Sequence, residues 1–194
     1  MTRTSNIRGP LAAAAALTLV SSVVATGSAH GSFGRSQGLG DAAGATARYH
    51  APSVATDDGY ALPGEEVGSG LLSKCVNNPE FPEQPGAMGF HWINFGLVDE
   101  TLDPAAPEVL VYEPTENGRL RLVAMEYVVF AGAVPDGEPP ELFGRELTLV
   151  PAPNRYGLPA FYQVHVWLWK HNPHGLFADH NPRVTCEHAA SAGQ

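Results

Sequence analysis

Alternating apolar and polar positions in the second half of the chain predict β-strands. The clearest run is 161–170, FYQVHVWLWK. Side chains of a strand point alternately to two faces, so Tyr162, Val164, Val166 and Leu168 would form one apolar face. The other face mixes aromatic rings with an amide and imidazoles, which is typical of the wall of a pocket or metal site. Its members are Phe161, Gln163, His165, Trp167, Trp169 and His171.

Further strands are predicted where β-branched and aromatic residues concentrate. These segments are 87–95, 109–112, 120–130 and 146–150. Asn117-Gly118, between the second and third of them, is a strong hairpin signal. Short helical turns are predicted within 46–62 and at 141–143. The pattern favours a mainly β fold, with α+β as the alternative: about five antiparallel strands forming a small barrel or curved sheet around a pocket, with few short helices.

The N-terminal region has the pattern of a secretory signal peptide over residues 1–29. Arg3 and Arg8 precede the apolar run 11–24, and small residues follow it up to Ala29. The next segment, 30–47, is rich in Gly, Ala and Ser and is predicted to be a flexible linker. We therefore expect one globular β-rich domain over 48–188 and a disordered tail over 189–194, with no membrane span after signal cleavage.

The charge balance limits the partners of this domain. The formal net charge is −9, and loss of Arg3 and Arg8 with the signal peptide leaves nine basic against twenty acidic residues. Such an acidic surface repels nucleic acid and anionic lipid. We expect an exported or cell-envelope protein with a small-molecule ligand as its partner; the oligomeric state stays open.

The two cysteines, Cys75 and Cys186, allow a single pairing. In an exported chain they are predicted to form a disulfide that joins the start of the folded core to its end. The alternative, two free thiols, requires a reducing compartment.

Three polar residues in the predicted strands indicate a metal site. His91, Glu126 and His165 each come from a different strand, and Glu126 stands in an otherwise apolar row. A buried carboxylate must be paired, protonated or bound to a metal. Two imidazoles and a carboxylate facing one interior would hold a transition metal such as Zn, Cu or Fe, with an open coordination position, and His50 is a candidate fourth ligand.

Simpler interpretations of the same residues remain. A histidine in a strand is often a hydrogen-bonded core residue, and Glu126 could instead pair with Arg121, Arg145 or Arg155. The histidines at 171, 174, 180 and 188 are predicted to be solvated loop residues rather than a second metal patch. A pair of carboxylates placed as in a glycosidase has no clear support in the sequence, and motifs typical of a catalytic nucleophile are not present.

Three motifs in the same order resemble a family of exported bacterial proteins without an assigned activity. They are AMGFHWIN, VLVYEPTENGRLRLVAMEYVVF and YGLPAFYQVHVWLWKHNPHGLFADHNPRVTC, and they span most of the predicted mature chain. The resemblance implies secretion and a shared fold. It implies no catalytic residues.

Besides a structural cell-envelope protein whose histidines form no common site, two functional hypotheses follow, and whether the site is catalytic stays open. The first is an exported metal-binding protein, with or without metal-dependent enzyme activity on a small substrate. The second is a secreted binding module whose pocket takes a small molecule without a metal. The predicted pocket residues are Phe161, Gln163, Trp167 and Trp169.

Overall fold

An antiparallel six-stranded sheet, curled into a half-barrel, dominates the part of the chain that the computed structural model describes. That part comprises residue 1 and residues 27–78, 85–135 and 138–192. The mainly β fold is therefore confirmed, in its curved-sheet form. The predicted signal peptide lies mostly outside the described residues.

The strands follow the chain with one crossover. In space the order is β1-β2-β3-β4-β8-β7, and β5 and β6 form a separate two-stranded ribbon. The strand bounds are β1 Val76–Asn77, β2 Ala87–Ile93, β3 Val109–Pro114, β4 Leu120–Phe130, β5 Glu141–Leu142, β6 Arg145–Glu146, β7 Thr148–Val150 and β8 Phe161–Val166. Strands β3 and β4 therefore occupy the middle of the sheet, where most of their side chains on both faces are buried.

The hairpin between β3 and β4 confirms the prediction made from Asn117-Gly118. The N–H of Thr115 donates to the carbonyl of Arg119, and the N–H of Gly118 donates to the carbonyl of Thr115. Gly118 has φ +71°, a left-handed conformation that glycine adopts without a steric penalty. The turn thus sets the register of the two central strands.

The two faces of the sheet pack against different parts of the chain. One face, which we call the helix-covered face, carries Leu110, Tyr112, Tyr127 and Val164 and packs with residues of the N-terminal helices. The opposite face, the loop-covered face, carries smaller apolar residues and packs under the chain near Leu72, Tyr156 and Val184. Its strand residues include Ile93, Val109, Val111 and Ala124.

The segment 30–47, predicted to be a flexible linker, is helical in the structure. Helix α1 spans Gly27–Thr46, a 3-10 helix spans Ala47–His50, and α2 spans Pro52–Asp57 with its proline in the first turn. Ala42 and Thr46, four residues apart on one side of α1, are fully buried. Their small side chains allow close packing but form no hydrophobic pattern, which is why the sequence predicts a linker here. No helix in the described residues is long and apolar enough to cross a membrane.

The segment 141–143, predicted as a helical turn, is part of the β5–β6 hairpin instead. Phe143 and Gly144 form its turn, with φ values of +54° and +67°. A phenylalanine is unusual in the left-handed region. Its ring packs on Tyr127 and Phe177, at centroid distances of 5.3 and 6.1 Å, and this packing holds the conformation.

The C-terminal region is the predicted irregular loop, and the predicted disulfide fixes it. Cys75, next to β1, is bonded to Cys186 across a separation of 111 residues. The tail is more ordered than expected, because Ala189–Ser191 forms a 3-10 turn and Ala192 is buried. Residues 193 and 194 of the predicted disordered tail lie outside the described residues.

Candidate metal centre

The curl of the sheet brings His91 and His165 together on the loop-covered face. These residues lie on β2 and β8, which β3 and β4 separate. Three strand spacings in a flat sheet amount to about 14 Å. The two imidazole centroids are only 5.8 Å apart. The sheet therefore curls toward this face, and its side chains converge on a common centre.

Glu126 completes the group from β4. It is paired directly with His165 in the β4–β8 ladder. Its Oε2 atom lies 3.6 Å from Nε2 of His91 and 3.8 Å from Nε2 of His165. One ligand atom from each of the three residues lies within 4.8 Å of the others. A tetrahedral ion with bonds of about 2.0–2.1 Å places its ligand atoms roughly 3.3–3.4 Å apart, so small side-chain rotations would complete a three-ligand site.

The electrostatics of the group suit a cation. Burial raises the pKa of Glu126, and Asp179 adds to this, while His165 opposes it. Burial also lowers the pKa of His91, to about 3, with a contribution from His165. His91 is thus neutral at physiological pH, with a lone pair available. A divalent ion would compensate the carboxylate charge that burial penalises.

An unpaired nitrogen atom supports the same interpretation. Nε2 of His165, the ring nitrogen on the side of Glu126, is buried without a hydrogen-bond partner among the described residues. Leaving such an atom unpaired costs about 1–3 kcal/mol. A bound ion would give a partner to the nitrogen that coordinates it.

Asp179 stands behind His165, on the side away from Glu126. Its Oδ1 atom is 3.8 Å from Nδ1 of His165 and accepts a hydrogen bond of 3.2 Å from Nε2 of Gln163. Burial lowers the pKa of His165, but Glu126 and Asp179 outweigh burial and raise it. A carboxylate on the far nitrogen of a histidine orients the ring and makes it a better metal ligand.

An apolar cavity of about 60 Å³ leads to the centre. His91 and Glu126 contribute the imidazole and the carboxylate of its lining. The remaining lining is aliphatic or aromatic and includes the buried residues Leu72, Ile93, Val109 and Phe161, together with the more exposed Phe95 and Val128. Two of the three residues therefore line a space that a small molecule could occupy.

The predicted pocket residues separate in the structure. Phe161 lines the cavity. The side-chain amide of Gln163 donates a hydrogen bond to Asp179. The indole ring of Trp167 stacks on His165, with 6.2 Å between the ring centroids, and the indole N–H donates to the carbonyl of Ala178. Gln163 and Trp167 therefore contact Asp179 and His165 and are not part of the cavity lining.

Trp169 and His50 lie away from His91, Glu126 and His165. Strand β8 ends at Val166, so the alternation fails and Trp169 packs on the helix-covered face. There its N–H donates to the hydroxyl of Thr46. His50 is exposed and packs edge-on against Trp169, at 4.6 Å. His50 is therefore not a fourth ligand.

The arginines considered as partners of Glu126 bind elsewhere. Arg121 lies 3.8 Å from Glu113, and Arg155 donates to Asn78 and to the carbonyl of Asn77. The guanidinium of Arg145 lies over the ring of Phe177, 4.8 Å from its centroid. Among the described residues, the basic neighbours of Glu126 are therefore the two histidines rather than these arginines.

The loop histidines are mostly as expected, with one exception. His171 and His174 are exposed and His188 is half-buried, whereas His180 is buried and its ring nitrogens have no partner in the described part of the chain. Burial lowers the pKa of His180 to about 4. Nothing in the local sequence indicates this burial, because the segment around His180 has no periodic pattern.

Sequence reasoning also missed Asp179 and most of the cavity lining. Asp179 lies in the irregular loop after β8, Leu72 lies in a 3-10 helix over Leu71–Ser73, and Tyr156 lies in the loop between β7 and β8. Only the three-dimensional path of the loops brings them to the loop-covered face.

Comparison with known proteins adds no relative. No protein-family model, curated protein or solved structure matches this chain.

Proposed function

We propose that this chain is an exported metal-binding protein in which His91, Glu126 and His165 hold one transition metal ion. The observation that carries the proposal is the convergence of three donor side chains, from three different strands, at one buried point. The unpaired Nε2 atom of His165 and the position of Asp179 support it. Buried polar atoms in folded proteins nearly always have a partner, and a coordinated ion would supply one here.

Two imidazoles and one carboxylate are donors that suit Zn, Fe or Cu. Three protein ligands leave at least one coordination position free. A metal with a free position can polarise a bound carbonyl or lower the pKa of a bound water molecule. We propose that this position faces the apolar cavity, because His91 and Glu126 form part of the cavity lining. This arrangement favours a metal-dependent enzyme over a metal store.

The cavity also favours a second candidate function. An apolar space with a few polar groups is typical of a site that binds a small molecule, whether or not a metal is present. In that case His91 and Glu126 would hydrogen-bond the ligand directly. Metal content separates the two functions, since the binding module needs none.

Export is part of the proposal. The disulfide between Cys75 and Cys186 is of a kind that persists in oxidising compartments. The signal-peptide pattern of residues 1–29 supports the same location. Sequencing the N-terminus of the protein recovered outside the cytoplasm tests this: a mature chain that begins at His30 is expected.

The metal proposal is tested by elemental analysis of the untagged protein, purified from an oxidising compartment. About one transition metal per chain is expected, and a His91→Ala/His165→Ala double variant should lose it. The matched control is His171→Ala/His174→Ala, which removes two exposed imidazoles and should retain the metal. Circular dichroism confirms that each variant is folded. Metal absent from the folded wild type, even after incubation with Zn²⁺, Fe²⁺ or Cu²⁺, would refute the proposal.

A further inference from the structure

We infer that the metal centre acts on a small, uncharged molecule that places an apolar group in the cavity and a donor atom on the metal. This inference rests on the proposed function and adds the class of substrate. It is carried by the size and the chemistry of the cavity lining.

The size of the cavity limits the apolar group. Its volume is about 60 Å³. An apolar cavity of roughly 150 Å³ holds benzene, so this one has room for a short aliphatic group rather than a ring with substituents. The substrate is therefore a small molecule or the short end of a larger one.

The chemistry of the lining excludes charge on that group. Among the described residues, no lysine or arginine lines the cavity, and its imidazole and carboxylate belong to the proposed ligands His91 and Glu126. Tyr156 directs its hydroxyl to the sulfur of Met88. A carboxylate, phosphate or ammonium group in this space would lose its hydration without gaining a partner, which is strongly unfavourable.

The outer part of the lining identifies the entrance. Val67, Val128 and Leu158 are only partly buried, and Phe95 is 58% exposed. An exposed aromatic side chain beside an apolar cavity gives a ligand its first apolar contact on entry. The exposure of Phe95 also makes it a position where a charge can be introduced without disturbing the core.

A pair of matched ligands tests the inference on the full mature protein loaded with Co²⁺. Propionohydroxamic acid and glycine hydroxamic acid share a metal-binding head and differ in the tail, a methyl group in one and an ammonium group in the other. Binding is followed by the visible absorption of Co²⁺. The methyl-tailed ligand is expected to bind about tenfold more tightly or better, because only its tail enters the cavity without a desolvation cost.

Two variants locate the effect. Phe95→Asp places a carboxylate at the entrance and is expected to reduce or reverse the preference for the methyl tail. Leu149→Asp makes a similar change at another exposed apolar residue, one that does not line the cavity, and should keep the preference.

The outcomes distinguish this inference from the metal proposal. Bound Co²⁺ with equal affinity for the two tails, or a preference unaffected by Phe95→Asp, overturns the inference and leaves the metal centre standing. Failure of the folded protein to take up Co²⁺ or any other transition metal overturns the proposed function, and the inference with it.

Discussion

Glu126 and His165 face each other directly across β4 and β8, with 3.8 Å between Oε2 and Nε2 and both side chains buried. Residues opposed on neighbouring strands are held in place by the ladder on either side. Two of the three proposed ligands are therefore positioned by local strand pairing. The third, His91, is brought in by the curl of the sheet, which makes its position sensitive to the packing of the loop-covered face.

Replacing Glu126 by glutamine should weaken metal binding and leave the metal-free fold intact. Glutamine has the shape of a protonated glutamate, and burial already favours protonation by raising the pKa of Glu126. It lacks the negative charge that binds a cation. We expect at least about a tenfold loss of affinity, measured by titration against a chelator. This corresponds to about 1.4 kcal/mol of binding free energy.

The control for this variant is Glu116→Gln, an exposed residue in the β3–β4 turn that removes the same charge from the surface. It should keep wild-type metal affinity. A Glu126→Gln protein that binds metal as well as the control would show that the carboxylate is not a ligand.

Much of the fold can be predicted from the sequence, because its signals are local. Strand β4 is predicted with its observed bounds, and the Asn117-Gly118 turn identifies its partner. The period-2 pattern likewise places His91, Glu126 and His165 inside. The pattern fails at Trp169, because nothing in WLWK marks the end of β8 at Val166.

The parts of the site that the sequence does not predict depend on long-range packing. Asp179 reaches His165 because the loop after β8 folds back, with Trp167 donating to the carbonyl of Ala178. The Phe143–Gly144 turn depends on aromatic contacts made from other elements. Neither arrangement has a periodic or compositional signature.

Asp179→Asn should reduce metal affinity by roughly 10–100-fold, the usual effect of removing a carboxylate behind a metal-bound histidine. The variant should also change the pH dependence of binding. Because Asp179 helps to raise the pKa of His165, its removal lowers that pKa, and protons compete with the metal only at lower pH. We therefore expect weaker binding at neutral pH together with a binding midpoint shifted to lower pH.

Asp57→Asn, at an exposed position in α2, is the matched control and should change neither quantity. A purely structural role for Asp179 would lower affinity through misfolding and leave the pH midpoint in place. Chelator titrations across pH 5–8 on folded protein separate these possibilities.

Ionisation of Glu108 should make the folded protein less stable at neutral and higher pH than at acidic pH. It is buried just before β3, where its carboxylate accepts the N–H of Val128, and burial raises its pKa from the ordinary 4.5 to about 7. Because folding raises this pKa, the folded state is favoured while Glu108 is protonated. That contribution to the free energy of unfolding is complete below pH 4.5 and is lost as the pH rises to about 7. Glu108→Gln keeps a hydrogen-bond acceptor and removes the charge.

We expect Glu108→Gln to match the wild type near pH 4 and to exceed it by about 1–3 kcal/mol at pH 8. Urea unfolding of the metal-free proteins at the two pH values measures the difference. An equal effect at both pH values would show that ionisation of Glu108 is not the cause.

Loss of the disulfide should destabilise the protein and also weaken metal binding. The bond closes a loop of 111 residues, and removing a native disulfide typically costs about 2–5 kcal/mol. Cys186 follows Asp179 in the C-terminal loop, and Cys75 follows the cavity residue Leu72, so the same bond restrains residues on both sides of the site. A Cys75→Ser/Cys186→Ser variant should therefore unfold at lower urea and, while still folded, bind metal more weakly. Wild-type protein treated with a reductant that does not bind metal should behave in the same way, whereas unchanged metal affinity in the folded variant would show that the site is independent of the bond.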